Sequence, residues 1–376
     1  MNSRPLLALV VLLGLGVFTL GCGGAADDPI PSAPSAAPSA AQDELDRVLE
    51  RLMATPNIEV EDGFTARVLI PPGELYDPLF MRDHEGEIWM NDDGGEEGDK
   101  GSKIVAVDAE GGISTVIALG RLLPVTSFDI APSSFGSYEG QLFSLAQAEV
   151  AFPGATMNHI IQRVDPTTTA DAERFCTLPM ADADGGGISG IGFEARFGPE
   201  GSPFSGKFFA ATIMNGSVYQ VTADGTCTSF VRFERGSPTG IAFSEDGQRM
   251  LVATSGAIQQ VRPDGTVDEP LVRSDALTLP TGMAYAPAGF GTYGGQLFVA
   301  DMGNADIQMT QATAADGKVY RVDGSGEVQL VASGFHNPVG LHFVDGALWV
   351  TDINGDFIAG RRELPEGFVV ELRVDR

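Results

Sequence analysis

The stretch Asn91–Lys100 reads NDDGGEEGDK and sets Asp92, Asp93, Glu96, Glu97 and Asp99 close together with glycines between them. Carboxylates crowded this way repel one another and gain nothing from burial, so they either face water or surround a cation. Calcium suits such a set, because it accepts about six to eight oxygen ligands in loose geometry from flexible loops. A second acidic group, DINGD at Asp352–Asp356, alternates Asp352, Asn354 and Asp356 in the manner of a calcium loop. Phe357 stands where an EF-hand needs its sixth-position glycine, so no EF-hand is expected. The chemistry on offer is cation binding at Asp93, Glu96, Glu97, Asp99, Asp352, Asn354 and Asp356, set against a solvated acidic crown. Among the histidines, His336 beside Asn337 is the candidate acid–base or ligand residue. Asp77 and Asn215 join Asn337 as candidate ligand-binding positions. No nucleophile elbow, phosphate-cradling glycine loop or Cys–His metal spacing is present.

What positions these residues is a repeat. One element recurs as SPTGIAF (Ser237–Phe243), LPTGMAY (Leu279–Tyr285) and NPVGLHF (Asn337–Phe343). A second strand follows each time, as IWMND (Ile88–Asp92), LFVAD (Leu297–Asp301) and LWVTD (Leu348–Asp352), with weaker copies LFSLA, FFAAT and MLVAT. A third strand alternates apolar and polar residues into a tight turn: SKIVAVDAEGG, GSVYQVTADGT, GAIQQVRPDGT, GKVYRVDGSGE. Alternation marks half-buried strands, and Asp-Gly marks hairpin turns. The second strand occurs six times, in units of roughly 40 to 60 residues with about four strands each, which is the signature of an all-β, six-bladed β-propeller. The units run near 71–120, 121–180, 181–236, 237–277, 278–335 and 336–376. The last is one strand short, and GFTARVLI (Gly63–Ile70) is a strand to spare at the other end. That N-terminal strand is expected to complete the last blade and close the ring, removing its open edges.

Antiparallel pairing then sorts the loops. Name the strands of a blade a to d from the channel outward; b–c and d–a connections share one face, a–b and c–d the other. NDDGGEEGDK and DINGD are b–c loops, long and unrepeated, and a rigid scaffold carries its function on such loops. Asp92, Asp301 and Asp352 share one repeat position, and the repeat favours a blade-capping role for them. The matched a–b segments APSSFGSYEGQLF and APAGFGTYGGQLF put Phe135, Tyr138, Phe290 and Tyr293 in packing and turn roles, and the paired Trp89 and Trp349 read as core.

These strand motifs resemble the six-bladed propellers of the NHL, gluconolactonase and strictosidine-synthase-like superfamily, carried by NPVGLHF with LWVTDINGD and LPTGMAY with LFVADMGN over about 320 residues. The resemblance implies the fold; propellers host enzymes and binding proteins alike. Lactonases and phosphotriesterases of this superfamily hold a catalytic calcium in the channel with Glu, two Asn and Asp. The first unit offers LYDPLF in place of an early glutamate, with Asn337 and Asn215 as the amide positions. GFHNPVGLHF is similar to a motif of soluble quinoprotein sugar dehydrogenases, which carry arginine where this chain has His336, so bound PQQ is not expected.

The first 21 residues read as a signal peptide, with Arg4 ahead of the apolar run Leu6–Leu20. TLGC (Thr19–Cys22) resembles the lipobox of bacterial lipoproteins, which implies lipidation at Cys22, and Gly23 after it implies the outer membrane. Residues 22–41 are a Pro-, Ala- and Ser-rich tether, 42–56 an amphipathic helix with Leu45, Val48, Leu49 and Leu52 on one face, and 57–376 the propeller. Cys176 and Cys227 fall on outer strands of neighbouring units, and two cysteines in an oxidising compartment form a possible disulfide. A net charge of −28 excludes nucleic acid as a partner. The expectation is a lipid-anchored binding module of the cell envelope for a small-molecule, carbohydrate or protein ligand, calcium assisting; the alternative is a calcium-dependent hydrolase of the lactonase type.

Overall fold

The computed structural model describes residues 50, 53–94, 102–148, 158–179, 192–213, 216–234, 236–303, 316–354 and 365–375, all within the compact unit Arg47–Arg376. Outside them lie the leader, the tether, most of the 42–56 segment, and the centres of the long b–c loops.

Six antiparallel sheets follow in chain order. Blade one holds Asp77–His84, Glu87–Asp93, Ser102–Val107 and Ile113–Leu122. Blade two is Val125–Ile130, Leu142–Ala148, Asn158–Val164 and Glu173–Thr177; blade three is Gly192–Phe197, Lys207–Thr212, Ser217–Thr222 and Cys227–Arg232. Blade four is Gly240–Phe243, Met250–Thr254, Ala257–Val261 and Val272–Arg273; blade five is Pro280–Tyr285, Leu297–Asp301, Gly317–Val322 and Val328–Phe335. Blade six takes Pro338–Val344, Ala347–Asp352 and Gly367–Val374 from the end of the chain, and its outermost strand is Phe64–Leu75 from the beginning. Ring closure by the N-terminal strand is thus as the sequence predicts. The short strand Glu59–Val60, which no sequence pattern announces, pairs with Ala332 and Ser333 as a fifth strand on blade five.

Every residue of Leu297–Asp301, Met250–Thr254 and Ala347–Asp352 is buried, because a b strand is covered by neighbouring blades on both faces. Those strands therefore read as continuous apolar runs. The outermost Phe64–Leu75 mixes buried and exposed positions instead.

The Pro-x-Gly motif of the inner strands turns out to be an inter-blade joint. A Cβ on Gly240 would lie 1.9 Å from the carbonyl oxygen of Thr281; on Gly282, 2.3 Å from that of Val339; on Gly340, 2.1 Å from that of Leu79. Each glycine thus lets its strand approach the backbone of the next blade. Threonines seal the same joints: Thr239 donates to the Pro280 carbonyl, Thr281 to that of Pro338 at 2.9 Å, and Thr351 to that of Leu79 at 2.5 Å. Gly240→Ala is expected to destabilise by about 3 kcal/mol through overpacking against backbone that cannot yield. Gly289→Ala, with nothing within 4 Å of its new methyl, should be neutral or slightly stabilising. Urea midpoints compare the two; equal midpoints would refute the joint.

The matched a–b segments are structural copies as well. Phe135 and Phe290 are buried at equivalent places. Arg163 lies over the Tyr138 ring at 5.1 Å and donates to Gln141, while Arg321 lies over Tyr293 at 4.8 Å and donates to Gln296.

Candidate functional site

The face carrying the b–c loops is built on one recurring device. Asp92 Oδ1 accepts the backbone N–H groups of Tyr76 and Asp77, both at 2.9 Å, clasping the start of its blade's a strand to the end of its b strand. Asp352 does the same with His336 at 2.8 Å on Oδ2 and Asn337 at 3.0 Å on Oδ1. Asp301 accepts the Leu279 amide at 3.3 Å. The aspartate also caps the following turn: Asp301 takes the Gly303 amide and Asp352 the Asn354 amide, both at 2.7 Å. That turn requires a positive φ at its third residue, met by Gly94 (109°), Gly303 (65°) and Asn354 (56°). Asparagine is among the few side-chain-bearing residues that take this conformation readily. The alternation in DINGD is therefore accounted for, as far as Asn354, by turn chemistry. Asn354 Nδ2 completes it by donating to the Glu366 carbonyl at 2.8 Å.

The remaining candidates fall as follows. Asp93 accepts a hydrogen bond from Ser102 Oγ across its own hairpin, and that hydroxyl accepts the Val125 amide at 2.7 Å. Asp77 pairs with Asp93 across the a and b strands. His336 is half-buried and Asn337 buried, side by side at the start of the blade-six a strand. Asn215, Glu96, Glu97, Asp99, Asp356 and Cys22 lie outside the described residues. Among the described residues, no three His, Cys, Asp or Glu side chains gather as a metal ion would require.

Sequence reading missed the channel itself. Phe80 of blade one meets Phe193 of blade three edge-on at 6.0 Å, although blade two lies between them in the ring. Around them Leu279, Met302, Val339 and Ile353 form a buried apolar cluster with Phe80, and Phe193 packs against it half-buried. Further along the same a strands the lining becomes ionic. Arg82 reaches across to Glu194 at 3.2 Å and has Asp129 at 3.6 Å, while Arg196 holds the same Glu194 oxygen at 2.9 Å. The other Glu194 oxygen accepts the Ile241 amide of blade four at 2.7 Å, and Asp129 accepts the Phe197 amide at 2.8 Å. Burial, reinforced by neighbouring Arg196, lowers the Arg82 guanidinium to about 10 against the pull of Asp129 and Glu194, so it stays charged at neutral pH. Four blades are tied together through one nearly fully buried glutamate. By strand register Glu194 stands where blade four has Gly240, a correspondence the sequence conceals because SGIGF (Ser189–Phe193) matches TGIAF (Thr239–Phe243) and sets Gly190 at that place.

Among the described residues, this stretch of the channel lining does not fit a calcium ion. The channel glutamate has both oxygens committed, with two guanidinium groups beside it, and no step is derived through a metal there.

Of the four histidines, His342 meets Asp83 at 2.8 Å and His84 packs on the Trp89 ring at 4.2 Å. His159 is fully buried at the start of the blade-two c strand, and burial lowers its imidazole to about 4. A histidine depressed in this way contributes stability that is present above the unfolded value of 6.5 and is lost as pH falls from there through 4. Asp92 acts in the opposite sense. Burial raises it to about 6 despite Lys103 and the Tyr76 and Asp77 amides, so its unfavourable charge is relieved as pH falls through 6. His159→Gln should therefore lose roughly 2 kcal/mol less than wild type between pH 7 and pH 4.5. Chemical denaturation at the two pH values measures this, and an unchanged difference would refute it.

No protein-family model matches the sequence, and no curated protein does. The propeller is similar to several solved structures. A glucose dehydrogenase matches with a TM-score of 0.55 and 12% identity, over 82% of this chain and 98% of that one. The apo-form of the soluble aldose sugar dehydrogenase of Escherichia coli gives 0.54 and 14%, over 83% and 100%. A luciferin-regenerating enzyme gives 0.51 and 14%, over 85% and 95%. At these identities the likeness speaks for the fold: the chain is a six-bladed β-propeller with enzymes among its structural neighbours.

Proposed function

We propose that this propeller is an extracytoplasmic binding module, held to the cell envelope by lipid on Cys22, whose ligand face is the one bearing the long acidic loops. The observation that carries the reading is the channel lining among the described residues. Phe80 and Phe193 meet across it, and Arg82 and Arg196 balance Glu194 and Asp129 there, leaving the unrepeated loops as the variable surface. The excess of acid over base in the chain favours a cationic ligand or a basic partner surface, with calcium bridging the acidic loops where the ligand is a carbohydrate or other neutral molecule. The disulfide between Cys176 and Cys227 supports an oxidising compartment.

A second reading, hydrolysis of the lactonase type, is favoured by the buried Asp352 carboxylate beside His336 and by the enzymes among the structural neighbours. A chelator-treated Cys22→Ser chain, titrated with calcium and with magnesium as control, tests the metal-assisted part by its melting temperature. A saturable rise with calcium, lost when Glu96, Glu97 and Asp99 are neutralised, is expected. No rise would confine the reading to metal-free binding of cations. Turnover of simple lactones that disappears in His336→Ala would replace the binding module with the hydrolase.

A further inference from the structure

Blades two and five carry the same arginine on their c strands, but only blade two answers its charge. Arg163 lies over Tyr138 and donates through Nη1 to Gln141 and through Nη2 to Glu173, both at 2.7 Å. Arg321 repeats the first two contacts, lying over Tyr293 and donating through Nη1 to Gln296 at 2.8 Å. Strand register sets Glu173 opposite Arg163 and Gln329 opposite Arg321, so a neutral amide stands where the copy has its carboxylate. Asp323, two residues further along, spends its carboxylate on Ser325 and the Glu327 amide. The Nε and Nη2 groups of Arg321 therefore bond no protein atom among the described residues, and both are open to solvent. They form the side edge of the guanidinium, the fork that takes a carboxylate bidentately. The side-chain amide of Gln329 is uncommitted in the same sense.

Both side chains line a pocket of about 350 Å³ at the seam where blade six closes against blade five. Phe64, the first residue of the closing strand, stacks on Tyr293 at 4.7 Å, and with half-buried Leu330 it supplies an apolar wall. Glu61 and Asp62, in the turn that leads into that strand, add two exposed carboxylates. Neither side chain makes an ion pair or hydrogen bond among the described residues. A simple anion would meet these acids and the net charge of −28 as repulsion. A molecule carrying both signs finds a partner for each.

We propose that this seam pocket binds a small zwitterion with an apolar body, the chemistry of a free α-amino acid. Its carboxylate takes the place that Glu173 fills in blade two, on the side edge of Arg321 and the Gln329 amide. Its ammonium group lies toward Glu61 and Asp62, and its side chain packs on Phe64 and Leu330. The pocket lies among a–b and c–d turns, on the face away from the acidic b–c loops, so it is independent of the function proposed above.

Calorimetric titration of the full chain with L-leucine, isocaproate and isoamylamine separates the two charges, since each control is leucine without one of them. Leucine is expected to saturate in the millimolar range or tighter, and each control to bind about tenfold more weakly. Gln329→Glu rebuilds the ion pair of blade two inside the pocket. It should weaken leucine at least tenfold without lowering the melting temperature, which a purely structural role for Gln329 would not produce. Arg321→Lys keeps the charge, removes the fork, and should weaken leucine about tenfold. No saturable heat with leucine, or equal affinity in wild type and Gln329→Glu, overturns the proposal. Equal affinity for leucine and isocaproate would overturn it as well, by removing the role of the ammonium group. If Gln329→Glu fails to fold, unchanged affinity in Arg321→Lys overturns it instead.

Discussion

Glu194→Leu is expected to cost the folded protein about 3–5 kcal/mol, the range for breaking a buried ion pair from one side. The leucine leaves Arg82, itself only 6% exposed, and Arg196 facing each other across the channel. It also removes the acceptor of the Ile241 amide, the link to blade four. Both consequences have the same sign. Glu194→Gln keeps an acceptor for that amide and should cost distinctly less, which separates the charge from the hydrogen bond. Adding Arg82→Met to Glu194→Leu should recover part of the loss, because the buried charge that Glu194 compensated is then absent. Urea unfolding of the three variants reads these differences from the midpoints. A Glu194→Leu chain within about 1 kcal/mol of wild type would mean that water reaches the cluster and that it is no buried staple.

Reducing the Cys176–Cys227 bond is expected to lower stability by about 4 kcal/mol, the chain-entropy value for a closed loop of this length. The bond joins the outermost strands of blades two and three across a sequence separation of 51, with Cα atoms 6.4 Å apart, within the usual range for a disulfide. It sits against the Phe135, Phe143 and Phe197 cluster, so replacement by serine also places hydroxyls beside apolar rings. For a domain of this size the loss corresponds to roughly 6 °C in melting temperature. Calorimetric scans with and without dithiothreitol, alongside the Cys176→Ser, Cys227→Ser double variant, should agree with each other. Coincident scans in oxidised and reduced protein would show that the outer strands are held by packing alone.

The repeat was legible because its physics is local. Alternation, Asp-Gly turns and the Pro-x-Gly signature each concern a few consecutive residues, and six copies average away the irregularities of any one. Ring closure was legible for the same reason, as a strand missing at one end and spare at the other. The shared position of Asp92, Asp301 and Asp352 likewise pointed to capping, which their clasp onto the a strands bears out.

What the sequence could not yield were meetings between residues far apart along the chain. Arg82 and Glu194 are 112 residues apart and belong to blades that are not neighbours, so only closure of the ring brings them within 3.2 Å. The same holds for the contact of Phe80 with Phe193, and for the pairing of Glu59–Val60 with blade five. Sequence by itself determined the blades, their order and their closure, because strand and turn formation are decided over short spans. The contents of the channel and of the seam between blades five and six were decided by tertiary structure, because they depend on which side chains the closed ring brings face to face.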